Sequence, residues 1–208
     1  MENRKSLLKC SSVDILPGLS VRIPTVGEIL EDEQHYYHLI SAITATPYQY
    51  MVQLDDFGID FTRINDFQLF TMLFPAIACE DTGILFGDVD LSDIRKKNHP
   101  LTGAPILQSN ANHLSIDEAA YHRLAAYIRK VNSLQKETRK PGNEEAKKFR
   151  INLERKKLMR NARKPYEPYL EKLVVALVNR PEFKYNYEQA EHMTIYQFSQ
   201  SFEQIKTS

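Results

Sequence analysis

The chain has 208 residues, 42% hydrophobic and 26% charged, with 27 Lys or Arg against 27 Asp or Glu and a formal net charge of zero. That length and apolar content suffice for a sizeable core and exclude global disorder, while the neutral balance lies well below the basic footprint of a dedicated nucleic-acid binder. Seven glycines argue against phosphate-cradling loops and an all-β fold, and two cysteines without CxxC spacing, Cys10 and Cys79, argue for a reducing cytoplasm over a disulfide framework.

Residues 1–12 read as a polar tail without the apolar run of a signal peptide. Short β-type runs at 13–15 and 21–23 flank Pro17-Gly18, a turn dipeptide, and predict a small hairpin. Thr25 and Glu28 have capping-box spacing and open a helix expected over 26–43, with Glu31, Asp32 and Glu33 on its outer face. Thr46-Pro47 reads as a second helix start, running to a stop at Gly58. A third helix is expected over 66–78, its buried face Leu69, Phe70, Leu73, Phe74 and Ile77, kinked or ended by Pro75.

From Asp81 the pattern changes. Residues 84–86 and 106–107 are candidate strands, so 83–108 is expected to hold a small β element. Ser115 with Glu118 reads as another capping box, before a helix whose apolar face is Ile116, Ala119, Ala120, Leu124, Tyr127, Ile128 and Val131. Pro141-Gly142 breaks it, and Asn143 caps a basic helix whose first-turn Glu144 and Glu145 suit the helix dipole. A strongly apolar helix follows over 169–179, then a helical turn after Asn186. Thr194 and Gln197 cap a last helix carrying Ile195, Phe198, Phe202 and Ile205. The expected fold is mainly α with small β elements (α+β). Its parts are a polar tail (1–12), a mainly helical domain with small hairpins (13–134), a basic helical arm (135–165) and C-terminal helices packing on the same domain (166–208).

The chemistry-bearing residues are sparse. Glu31, His35 and His38 share roughly one helix face, a geometry open to a metal, but the spacing is not HExxH and a solvated polar face is the better reading. Asp55, Asp56 and Asp60 lack the spacing of a calcium loop and read as loop and cap residues, and Asp88, Asp90 and Asp93 as turn and edge residues. No phosphate-binding glycine motif or nucleophile elbow occurs, so an enzyme is the class least favoured and no cofactor is expected. No apolar cluster approaches the length of a membrane span.

The strongest signal is charge. Residues 129–164 hold fourteen Lys or Arg and four Glu, a net +10, which leaves −10 on the remainder. The arm proper contributes Lys147, Lys148, Arg150, Arg155, Lys156, Lys157, Arg160, Arg163 and Lys164. A solvated charged helix is the first reading, an acidic protein partner the second and nucleic acid the third, because aromatics for base stacking are nearly absent from the arm's interior. The C-terminal helices with the Tyr- and Phe-rich 183–187 read as core or as a groove for a partner's helix.

Three stretches taken together carry a resemblance: Ile23-Pro24-Thr25-Val26-Gly27-Glu28-Ile29-Leu30 after the hairpin, Lys140-Pro141-Gly142-Asn143-Glu144-Glu145-Ala146 before the basic helix, and Leu177-Val178-Asn179 with Phe183-Lys184-Tyr185-Asn186-Tyr187 and Thr194-Ile195-Tyr196-Gln197-Phe198. This layout resembles phage and prophage proteins of Gram-positive bacteria encoded among the structural genes. The resemblance implies a non-enzymatic assembly protein in the host cytoplasm or the virion. The favoured role is a tail assembly chaperone that binds the tape measure protein; a minor tail or head component and a nucleic-acid binder using the arm are the alternatives. The expected partner surface is Tyr169, Leu173, Leu177, Tyr185, Tyr187, Phe198 and Phe202, with the arm steering the partner; self-association is left open.

Overall fold

A computed structural model describes residues 6–111, 114–137 and 139–206; the start of the expected tail, 1–5, lies outside them. The molecule is mainly helical with two small antiparallel sheets, the α+β class expected. A 3-10 turn at Leu7–Lys9 precedes strands β1 (Ser12–Leu16) and β2 (Leu19–Arg22), paired with Val13 opposite Val21. Their turn needs Gly18, whose φ of 83° is strained for any side chain bearing a Cβ.

The capping box at Thr25 forms as expected, Thr25 accepting from the Glu28 amide while Glu28 accepts from that of Thr25. The helix it opens is short. Helix α1 (Val26–Glu31) stops because Asp32 leaves helical geometry and caps α2 (Glu33–Ile43), its Oδ1 accepting from the His35 amide at 3.0 Å. One predicted helix is therefore two, and Glu33, expected outside, turns inward to 6% exposure. Residues 46–50 form a turn held by the Gln49 side chain on the Thr46 amide, so α3 (Met51–Asp56) begins later than Pro47 suggests.

Helix α4 (Asp66–Ile77), capped by Asn65, runs two residues past Pro75, which sits exposed in its last turn. The apolar triplet 84–86, expected as a strand, is instead the helical turn α5 (Gly83–Phe86). Asp81 Oδ1 takes the Gly83 amide and Thr82 O those of Leu85 and Phe86, so the run winds up locally rather than pairing with a neighbour. Strands β3 (Arg95–Asn98), β4 (Pro105–Gln108) and β5 (Ser115–Ile116) form the second sheet with β4 central, separate from the first hairpin. Because Ser115 is paired in β5, the cap of α6 (Glu118–Val131) passes to Asp117, which accepts from the Ala120 amide at 2.7 Å. Ala119 faces out, and the fully buried Tyr121 stacks on Phe70 at 4.6 Å.

Helix α7 (Glu144–Asn161) follows its Asn143 cap, and α8 (Leu170–Val178), α9 (Tyr187–His192) and α10 (Ile195–Lys206) complete the chain. The main core joins α2, α4 and α6 with the β1–β2 hairpin, α5, the second sheet and the C-terminal helices. A smaller core gathers Met51, Val52, Leu54, Phe61, Leu69 and Ile151 beneath α7.

Candidate protein-interaction surfaces

Two surfaces carry the residues singled out by the sequence. The first is the C-terminal face, built on the seating of α8. Tyr169 offers α8 no side-chain cap; the acceptor comes from another element. Glu33 Oε1 takes the amides of Tyr169 and Leu170 at 2.6 and 3.0 Å and the hydroxyl of Tyr166 at 2.8 Å. A carboxylate at a helix N-terminus is favoured by both the free amides and the dipole. Burial and the Glu33 carboxylate raise the Tyr166 hydroxyl's pKa to about 12, so that it stays a donor.

The other end of this module is tied to α1. The Val26 amide donates to Met193 O and the Ile195 amide to Pro24 O, each at 2.8 Å, pairing Thr25 with Thr194 in an isolated bridge. Two capped helix starts thus sit side by side, and the Thr194–Gln197 box forms as the spacing predicts.

This seating sorts the predicted partner residues. Leu177 and Phe198 lie in the core at 2% and 1% exposure, so they hold the module in place and present nothing outward. Leu173 and Phe202 are half-buried against it. Tyr169, Tyr185 and Tyr187 are about half exposed or more. Tyr169 marks the start of α8, and Tyr187, accepting from Asn179 Nδ2 at 3.3 Å, marks its end. Tyr185 packs edge-on against the buried Phe183 at 5.3 Å.

The second surface is α7. Read from the sequence first as a solvated charged helix, it has one face docked on α3. Ile151 enters the smaller core, and one turn later Arg155 reaches both carboxylates ending α3, Nη2 to Asp55 Oδ2 at 2.7 Å and Nη1 to Asp56 Oδ1 at 2.5 Å. Lys147 Nζ donates to Asp60 Oδ2 at 3.0 Å and to Glu144 at 2.8 Å. The Thr62 amide and hydroxyl, then Lys147, hold the Asp60 carboxyl down to a pKa of about 2. Part of the −10 outside the arm thus meets the arm within the chain. Lys157 pairs with Glu154 at 3.2 Å, whereas Lys148, Arg150, Lys156, Arg160, Arg163 and Lys164 are exposed and make no ion pair among the described residues.

Several of the remaining candidates have structural partners. His35 and His38 both face Glu80, at 3.8 and 3.2 Å. Among the described residues, no group of three or more His, Cys, Asp or Glu is placed to hold a metal. Asp93 takes the Ser109 hydroxyl and the amides of Ala111 and Asn110, closing the β4–β5 turn. Glu33 had no sequence signal beyond its polarity. Asp55 and Asp56 had one, since two carboxylates ending a short apolar helix suit a basic helix elsewhere in the chain.

Fold and surfaces together describe a mainly helical protein with exposed tyrosines around α8 and a basic helix that is docked on one side and open on the other. Residues 161–208, which contain α8 to α10, match the family model of the YomV second domain. YomV is a Bacillus phage- and prophage-encoded protein, and the match, which covers less than a quarter of the chain, is consistent with the phage resemblance of the sequence. No curated protein and no solved structure matches the chain. Among the described residues no helix is long and apolar enough to cross a membrane.

Proposed function

We propose that this chain is a non-enzymatic phage assembly protein, a tail assembly chaperone that holds the tape measure protein before the tail tube forms around it. The observation that carries this reading is the coincidence of the phage-associated segment, 161–208, with the exposed tyrosines Tyr169, Tyr185 and Tyr187. A tape measure protein is long and helical, and its apolar faces stay open until assembly. Tyrosine suits such a client, since a rigid amphipathic ring gives contact area at low entropic cost. The rings occupy both ends of α8, a helix of nine residues and therefore about 13 Å long, a span that fits two turns of a client helix.

The test is co-expression with each neighbouring structural gene product, followed by pull-down at low and moderate salt. A long, helical, tape-measure-like protein is expected to be retained and kept soluble, and Tyr169→Ala with Tyr187→Ala to release it while far-UV circular dichroism is unchanged. Stoichiometric recovery of the chain in purified particles would instead make it a virion component.

A further inference from the structure

A helix that docks by one face should be polar on the other, and α7 is not. Phe149, Leu153, Lys156 and Arg160, at i, i+4, i+7 and i+11, lie in one stripe opposite Ile151 and Arg155. Phe149 is 70% exposed and Leu153 48%, with Met159 to one side at 64%. Folding gains nothing from apolar groups left in water, and contiguous ones set among charges mark an interaction site. Around them stand the six cations that form no ion pair among the described residues.

The docked face of the same helix shows what this pattern receives. There an apolar residue, Ile151, is followed one turn later by a cation, Arg155. Its occupant is α3, where the apolar turn Met51, Val52 and Leu54 is followed by the carboxylates Asp55 and Asp56. The outer face repeats the arrangement, with Phe149 and Leu153 followed in the same stripe by Lys156 and Arg160, which make no ion pair among the described residues. We propose that the outer face of α7 is a docking surface for an acidic amphipathic helix of another protein, patterned as α3 is: an apolar turn followed by carboxylates. This surface stands apart from the C-terminal face and does not rest on the chaperone reading.

The observations favour an acidic helix over nucleic acid. Phe149 is the one aromatic ring of α7, and Leu153 and Met159 have no π-face, so successive bases find no stacking platform along the helix. A polyanion long enough to run past α7, whose 18 residues span about 27 Å, also meets the net −10 of the rest of the chain, whereas a helix of a few turns stays within the arm.

The experiment titrates the full chain against a labelled synthetic acidic amphipathic peptide, read by fluorescence anisotropy at low and physiological salt. The comparison probes are a peptide of the same composition with Leu and Glu scrambled, and short single-stranded and duplex DNA. The ordered peptide is expected to bind about tenfold or more tightly than the scrambled one, and Phe149→Ala with Leu153→Ala to weaken it by a similar factor. Lys156→Glu with Arg160→Glu is expected to abolish binding. All four positions are exposed, so the fold survives, as circular dichroism would verify. Equal binding of ordered and scrambled peptides would reduce the face to unspecific charge attraction and overturn the proposal. So would tighter binding of DNA that ignores Phe149→Ala, or no binding of the ordered peptide.

Discussion

At the scale of single residues, Glu33 carries the largest structural consequence. Burying a carboxylate is costly unless its oxygens are hydrogen-bonded, and Glu33 offsets part of that cost by presenting Oε1 to two helix-start amides and one hydroxyl 133 to 137 residues away in the chain, while its buried Oε2 has no hydrogen-bond partner among the described residues. Glu33→Ala leaves those three donors unmatched and is expected to destabilise the protein by about 2–3 kcal/mol. Glu33→Gln keeps the Oε1 acceptor and should cost about 1 kcal/mol, the charge–dipole part alone. Urea denaturation of both variants checks this. Equal losses would mean that charge, and not hydrogen bonding, seats α8. A second residue-scale feature is Ser133, a non-glycine residue at φ 52° just past α6, where the Leu134 amide closes back on Arg129 O at 2.8 Å in a Schellman-type ending.

At the scale of elements, α7 is governed by the contrast between its faces. The docked side has one buried apolar residue, Ile151, worth about 1.5–3 kcal/mol on burial. Its ion pairs are partly exposed, screened by solvent, and add little. The helix is therefore weakly held and sensitive to charge. The Asp60 carboxyl, held at a pKa of about 2 against an ordinary 3.8 by the Thr62 amide and hydroxyl and Lys147, contributes stability that is complete above pH 3.8 and is lost as pH falls through about 2. The difference in melting temperature between the wild-type chain and Asp60→Asn should accordingly be constant near neutrality and close over that acid window. A gap that persists at pH 2 would show that Asp60 acts by packing and not by charge.

At the scale of the whole molecule, the C-terminal segment that matches the YomV second domain is joined to the body by contacts that include the Glu33 clasp on α8, the Thr25–Thr194 bridge between α1 and α10 and the Gln197 Nε2 bond to Leu8 O. The bridge depends on close approach at Gly27, where an added Cβ would stand 3.3 Å from the Glu191 carbonyl oxygen. Gly27→Val is expected to wedge α1 from α9 at a cost of about 1–3 kcal/mol and to speed proteolytic cleavage between α7 and α8. Cleavage at the wild-type rate would mean that the clasp alone keeps the module seated.

What the sequence by itself determined was local: the Pro17-Gly18 hairpin, the caps at Thr25, Asn143 and Thr194, and the α+β class. Each rests on hydrogen bonds between residues a few positions apart, or on a period that a single element displays. Tertiary structure decided the rest. Asp32 divides a continuous apolar stripe so that Glu33 can turn inward to α8. Leu177 and Phe198 go to the core while Tyr169 and Tyr187 stay out, and α7 rests one face on the acids of α3 and leaves the other bare. In each case the deciding partner lies far along the chain, and an amphipathic pattern states which residues share a face without stating what that face will meet.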